Sequence, residues 1–141
     1  RQMFGAGSCY ACHRIAGEGG AVGPDLTSVG GKFGAYDLLE SIVDPGKEIS
    51  DQYGSSVFSL TDGTQLNGRI MNMRNNEYWV NTDMMKPSTV TKVKAENLTS
   101  IEPSSISMMP PGLINTMDKE DILDLMAYLI AGGKSDHELF R

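Results

Sequence analysis

Cys9-Tyr10-Ala11-Cys12-His13 holds both cysteines of this 141-residue chain and one of its two histidines. Two cysteines three positions apart, with histidine directly after the second, form the pattern that attaches a c-type haem. On one helical turn both sulfurs lie on the same side, placed for thioether bonds to the haem vinyl groups. The histidine then falls beneath the iron as its proximal ligand. Two other chemistries use the same cysteine spacing. A zinc site needs two further good ligands, and beyond this stretch the chain has no cysteine and only His137. A redox dithiol has no use for His13, and nothing around the motif reads as a βαβ unit.

The motif therefore predicts one haem c, with Cys9 and Cys12 as covalent anchors and His13 on the iron. Thioether attachment belongs to an extracytoplasmic maturation route, so a periplasmic or otherwise extracytoplasmic location is expected. Haem would consume both cysteines and leave none for a disulfide framework. The length bounds the chain to one domain, or one domain carrying an insertion. No run approaches the roughly 18 apolar residues of a membrane span. The sequence starts at Arg1 without methionine or an apolar signal stretch, as expected of a processed chain or a piece of a larger one.

A net charge of −6 argues against a nucleic-acid-binding surface. Residues 54–101 hold five Lys/Arg against four Asp/Glu, and the rest holds seven against fourteen. The excess acid lies outside that segment. A solvated surface accounts for it, and so does steering toward a basic redox partner.

The stretch around Met3 to Arg14, which carries the motif, is expected to form a short helix. Residues 16–34 are rich in glycine and contain Gly23-Pro24-Asp25-Leu26, the composition of an ordered loop. Ala35 to Val43 (AYDLLESIV) spaces Leu38, Leu39, Ile42 and Val43 as a helix does, and Pro45-Gly46 ends it. From residue 54 the pattern alternates instead. Ser56-Val57-Phe58-Ser59-Leu60 and Tyr78-Trp79-Val80 are strand-like, with Asp62-Gly63 and Asn75-Asn76 as turns. Four or five antiparallel strands are predicted, in a small curled sheet or barrel. Helical periodicity returns after Pro110-Pro111-Gly112. Asp118 is the expected N-cap, Ile122, Leu125, Met126, Leu129 and Ile130 make the apolar face, and Gly132-Gly133 stops the helix. The polar tail from Lys134 is expected to fray.

A haem iron held by one histidine needs a second axial ligand or an open site. Of nine methionines, Met117 and Met126 read as packing of the last helix. Met108 and Met109 lie in a loop braced by Pro110-Pro111, which can hold a thioether against iron at little entropic cost. Met109 is the expected ligand and Met108 its competitor; the bland alternative is that both only pack against the porphyrin. His137 reads as a surface histidine. On the proximal side the Pro24 carbonyl is the natural acceptor for His13 Nδ1–H, although Gly23-Pro24 also reads as an ordinary turn.

With these residues placed, the chain resembles a class I cytochrome c: CYACH, GPDL, a methionine-proline loop and a last helix ending in DLMAYL. The likeness covers residues 3–53 and 102–132. More narrowly it resembles the haem-binding domain family common in planctomycetes and verrucomicrobia, through GPDLTSVGGKF, LLESIVDPGKEISDQY, LTDG with a following NG, and SMMPPGL. The resemblance implies a mainly α cytochrome c core, three or more helices around one haem, with an inserted antiparallel β-sheet module. The implied division is 1–53 with 102–141 as core and 54–101 as β-rich insertion. It also implies His13 and Met109 as axial ligands, and a contact of the first and last helices at Phe4, Gly5 and Tyr128. In that family the module often closes a large protein that carries a dehydrogenase-like propeller.

The function this points to is electron transfer, not catalysis, for a dehydrogenase-type partner or neighbouring domain. The site residues are Cys9, Cys12, His13, Pro24, Leu26 and Met109, with Leu26, Phe33, Leu38 and Leu39 as apolar lining. The rival is a haem enzyme or gas sensor with a displaceable distal methionine. The β segment reads either as a docking or orienting surface or as an inert elaboration.

Overall fold

Alternating apolar residues build the larger share of regular structure in this chain, whose computed structural model describes residues 1–141. The chain divides into two compact units, Arg1–Pro45 with Pro110–Arg141, and Gly46–Met109. The expected segment 54–101 falls inside the second.

In the second unit, β3 (Ser56–Leu60), β4 (Gln65–Arg74), β5 (Glu77–Asn81), β6 (Thr91–Lys94) and β7 (Leu98–Pro103) form one antiparallel sheet in the order β6-β5-β4-β3-β7. Phe58 on β3 stands opposite Leu66 on β4 and Ile101 on β7, and Val80 on β5 stands opposite Ile70 and Thr91. Period-two alternation thus gathers Phe58, Val80 and Val93 into a buried cluster, with Leu60, Leu66, Tyr78 and Leu98 packed against it. Asn75 and Asn76, at φ 52° and 61°, make the β4–β5 turn, a conformation asparagine tolerates better than most residues.

The two edge strands are consecutive in sequence. Ala95–Asn97 links them in a single 3-10 turn, tied to Asn76 O by Ala95 N (2.9 Å) and to Thr61 N by Asn97 O (2.8 Å). So short a link between opposite edges requires the sheet to curl. Register shifts at Ile70/Asn72 and Ser59/Leu60 supply the local bending.

The first unit holds α1 (Gln2–Ala6), a short ribbon of β1 (Arg14–Ile15) and β2 (Glu18–Gly19), α2 (Ala35–Val43) and α3 (Lys119–Ile130). Phe4, Ile15, Val29, Leu38, Ile114, Leu125, Met126, Tyr128 and Leu129 form its core. α3 starts in a reciprocal cap: Asp118 Oδ1 accepts from Asp121 N (3.0 Å), and Asp121 Oδ2 from Asp118 N (3.2 Å). It stops at Gly132 and Gly133, both at positive φ. The loop before α2 fits tightly against its end. A Cβ on Gly30 would lie 2.3 Å from the Ile130 carbonyl oxygen.

The expected mainly α core is corrected by this architecture. The chain is sheet-rich, with a five-stranded and a two-stranded antiparallel sheet against three helices of 5, 9 and 12 residues. The five-stranded sheet outweighs the helices, and the glycine-rich stretch adds none: eight glycines lie between residues 7 and 34, each a poor helix residue, so the loop expected at 16–34 forms turns and part of the small ribbon. The helix at the motif is corrected too: α1 ends at Ala6, Ser8 turns left-handed at φ 59°, and Cys9–Ala11 is a 3-10 turn. The tail contains a further 3-10 turn at Glu138–Phe140. Gly5 does not mediate a close helix approach, since nothing lies within 4 Å of a Cβ built there. Phe4 and Tyr128 do meet, their ring centroids 5.6 Å apart.

Candidate functional site

The Cys9 carbonyl accepts hydrogen bonds from both Cys12 N (3.3 Å) and His13 N (2.9 Å). Two cysteines and a histidine therefore share one tight turn, although not one continuous helix. Carbonyls facing the other way would be left unpaired, and the glycine-rich loop takes them up. Gly20 N donates to Tyr10 O, Gly23 N to Cys12 O and Leu26 N to Arg14 O, each at 2.8 Å. The loop runs beside the motif as an irregular strand that contacts it at alternate residues.

The far end of this loop is pinned by Asp25 and Thr27. Asp25 Oδ1 accepts from Thr27 N (2.8 Å) and Thr27 Oγ1 (2.6 Å), and Thr27 Oγ1 accepts from Ala16 N (3.0 Å). These bonds favour the ionised carboxylate and hold Asp25 below the usual carboxylate range. The pinned loop delivers the Pro24 carbonyl to His13 Nδ1, at 2.8 Å. A carbonyl can only accept, so Nδ1 carries the proton and the lone pair resides on Nε2. Gly23 makes room for this ring: a Cβ there would lie 2.8 Å from His13 Cε1.

Cys9 and Cys12 carry thiols and are half-buried. Burial pushes the Cys9 thiol above its ordinary value, which disfavours the thiolate that a redox dithiol or a zinc site uses. No group of three or more His, Cys, Asp or Glu side chains converges to hold a metal ion, so a protein-only zinc site lacks its ligand set.

Five of the expected site residues come together in the first unit: Cys9, Cys12, His13, Pro24 and Leu26. Leu26 is half-buried and packs on the core, as does Leu39. Leu38, expected as lining, is a core residue at 8% exposure, and Phe33 stands 54% exposed. Met109 belongs to the second unit, where its N–H donates to Ser107 Oγ at 3.1 Å; Met108 precedes it, and both are half-buried. His137 accepts from Leu139 N through Nδ1 at 3.3 Å and so caps the last 3-10 turn.

Sequence reasoning missed Tyr36, which α2 leaves 75% exposed while Val43 is 58% exposed. With Leu39 they make a second apolar stripe on α2, beside the one buried through Leu38 and Ile42. The signal was present in AYDLLESIV, which is apolar on more of its circumference than one core contact requires. It also missed Thr27 and the glycines that address the motif's carbonyls. Set against known protein families and curated proteins, the chain matches no family model and no curated sequence.

Proposed function

We propose that this chain carries one covalently bound haem c and transfers single electrons outside the cytoplasm. Cys9 and Cys12 are the thioether anchors and His13 the proximal ligand; Met109 is the distal ligand, with Met108 as the competitor. The observation that carries this reading is the His13–Pro24 hydrogen bond. It fixes the imidazole in the one neutral tautomer that leaves Nε2 able to bind iron, on the same turn as both thiols. A bound haem supplies a reversible one-electron couple. The chain's own contribution is to orient the imidazole through Pro24, to keep both thiols on one turn, and to offer apolar surface at Leu26, Phe33, Tyr36, Leu39 and Val43.

The partner we infer is a redox protein or domain with a basic docking face, of dehydrogenase type. The first unit holds six Lys/Arg against eleven Asp/Glu, the second six against seven, so an acidic field centres on the unit that carries the motif. No helix is long and apolar enough to cross a membrane.

Expression of the chain with a c-type maturation system tests the reading. One equivalent of haem that survives denaturation, lost in Cys9→Ala with Cys12→Ala, is the expected result. A chain recovered without denaturation-resistant haem refutes it. The oxidised protein is expected to show the weak long-wavelength sulfur-to-iron band, which Met109→Leu removes and Met108→Leu retains. Rapid stoichiometric binding of carbon monoxide to the reduced protein at neutral pH would replace electron transfer with a gas-binding or enzymatic role.

A further inference from the structure

Tyr10 is the one large side chain between the two cysteines, and its ring and hydroxyl contacts lie outside the motif. Its ring stands edge-on to Phe4 of α1, with centroids 4.5 Å apart at 83°. Its hydroxyl meets the Tyr128 hydroxyl, on α3, at 2.8 Å. Tyr128 is 7% exposed and packs against Gly133, where a built Cβ would lie 3.3 Å from the Tyr128 oxygen. Arg1 pairs with Glu18 of β2 at 2.6 Å, and a Cβ built on Gly19 of the same strand would lie 3.1 Å from the Tyr10 ring. Segments from the N-terminus, the ribbon and the last helix thus converge on one residue of the motif.

Apolar packing alone would be satisfied by phenylalanine at both positions. Two hydroxyls add a requirement, because removing either leaves the other short of a partner in a partly buried place. Ring packing is also tolerant of sliding, whereas a hydrogen bond has a direction. The pair therefore fixes where along α3 the Cys9–His13 turn sits.

We propose that the Tyr10–Tyr128 hydroxyl pair is a positioning device for the haem-anchoring turn, holding both thiols and the His13 imidazole in one fixed pose. This inference rests on the haem reading above. Tyr10 and Tyr128 act through the turn rather than on the iron, and their removal loosens it and admits water to the haem edge. Water favours the more highly charged oxidised state, so loosening lowers the reduction midpoint.

The test uses the haem-loaded full chain with Tyr10→Phe, Tyr128→Phe and the double variant, each retaining its ring. Each single variant is expected to move the oxidised-to-reduced ratio at the parent midpoint by about threefold or more toward oxidised, the scale of one lost hydrogen bond. The double variant is expected to move it no further than either single, since both remove one shared bond. Intact haem with an unmoved midpoint in all three overturns the inference, even where unfolding shows lost stability. Additive shifts in the double variant overturn it as well. A parent chain without covalent haem overturns the haem reading and this inference with it, a result distinct from intact haem with an unmoved midpoint.

Discussion

Gly23→Ala probes the geometry of His13 with a single methyl group. An ideal Cβ at residue 23 lies 2.8 Å from His13 Cε1, 3.0 Å from Nδ1 and 3.4 Å from the Cys12 carbonyl oxygen. Gly23 has no positive φ, so its backbone accepts alanine and only the ring must give way. A retreat of about 0.5 Å restores ordinary contact, and it stretches the 2.8 Å bond to Pro24 O past about 3.2 Å, the outer edge of good N–H···O geometry. That bond contributes about 0.5–1.5 kcal/mol net. Against it, alanine restricts the unfolded chain and favours folding by about 0.4–1 kcal/mol. The two nearly cancel, so the expected global loss lies between zero and about 1 kcal/mol and decides nothing alone. The deciding signal is local. Heteronuclear NMR of the imidazole nitrogens is expected to show Nδ1 protonated in the parent, and a mixture of tautomers in G23A. A parent that already shows the mixture, or a G23A ring locked with Nδ1 protonated, refutes the reasoning.

Gly30→Ala is expected to cost about 2–3 kcal/mol or more in urea unfolding, because the new methyl meets the Ile130 backbone oxygen at 2.3 Å and a helix end cannot swing aside; Gly5→Ala, with open space around it, is expected to gain up to about 1 kcal/mol. Asp118→Ala removes half of a reciprocal cap and is expected to lower stability by about 1 kcal/mol, measured in the same way. Phe58→Ala, at 0% exposure, is expected to cost about 3–5 kcal/mol, read from the fluorescence of Trp79, the single tryptophan, which reports on the sheet unit. The Asp25 carboxyl, held low by Thr27, contributes stability that is present above its unfolded value and is lost as pH falls through its folded one; carboxyl NMR titration is expected to show it ionising below ordinary aspartates, and Thr27→Val, which removes the hydroxyl donor but keeps the backbone N–H, to raise it part of the way to their range.

Local punctuation explains which elements were legible in the sequence. α2 covers Ala35–Val43 and β3 covers Ser56–Leu60, the stretches that helical spacing and alternation mark out. α3 begins at its capping aspartate and ends at its glycine pair. Asn75-Asn76 turns the chain as its composition suggests. The mainly α expectation failed for a different reason. It followed from likeness to a family, whereas the segment-by-segment pattern placed four or five strands beside three helices. The helix predicted across the motif failed at Gly7 and Ser8, where one flexible residue and one left-handed residue divide it. Neither of them interrupts the apolar spacing, so periodicity carries no trace of the break.

The site divides along a similar line. That Cys9, Cys12 and His13 share one turn is legible because their spacing is local. Pro24 as the acceptor for His13 is legible because proline keeps a carbonyl while losing its donor. What holds that carbonyl in place is harder to read. Gly20, Gly23 and Leu26 address the motif through backbone donors, which every residue type except proline possesses, so the pairing leaves no mark in side-chain pattern. Only the glycines betray it, and they do so through room rather than bonding: Gly23 is small because an imidazole occupies the space its side chain would fill. Tyr10 and Tyr128 lie 118 positions apart, and no local rule joins them. Yet both contacts act on the same five residues. A turn that gains its orientation from backbone on one side and from a distant hydroxyl on the other can be precise without being helical. This is how Cys9, Cys12 and His13 are held on one turn without the continuous helix expected there.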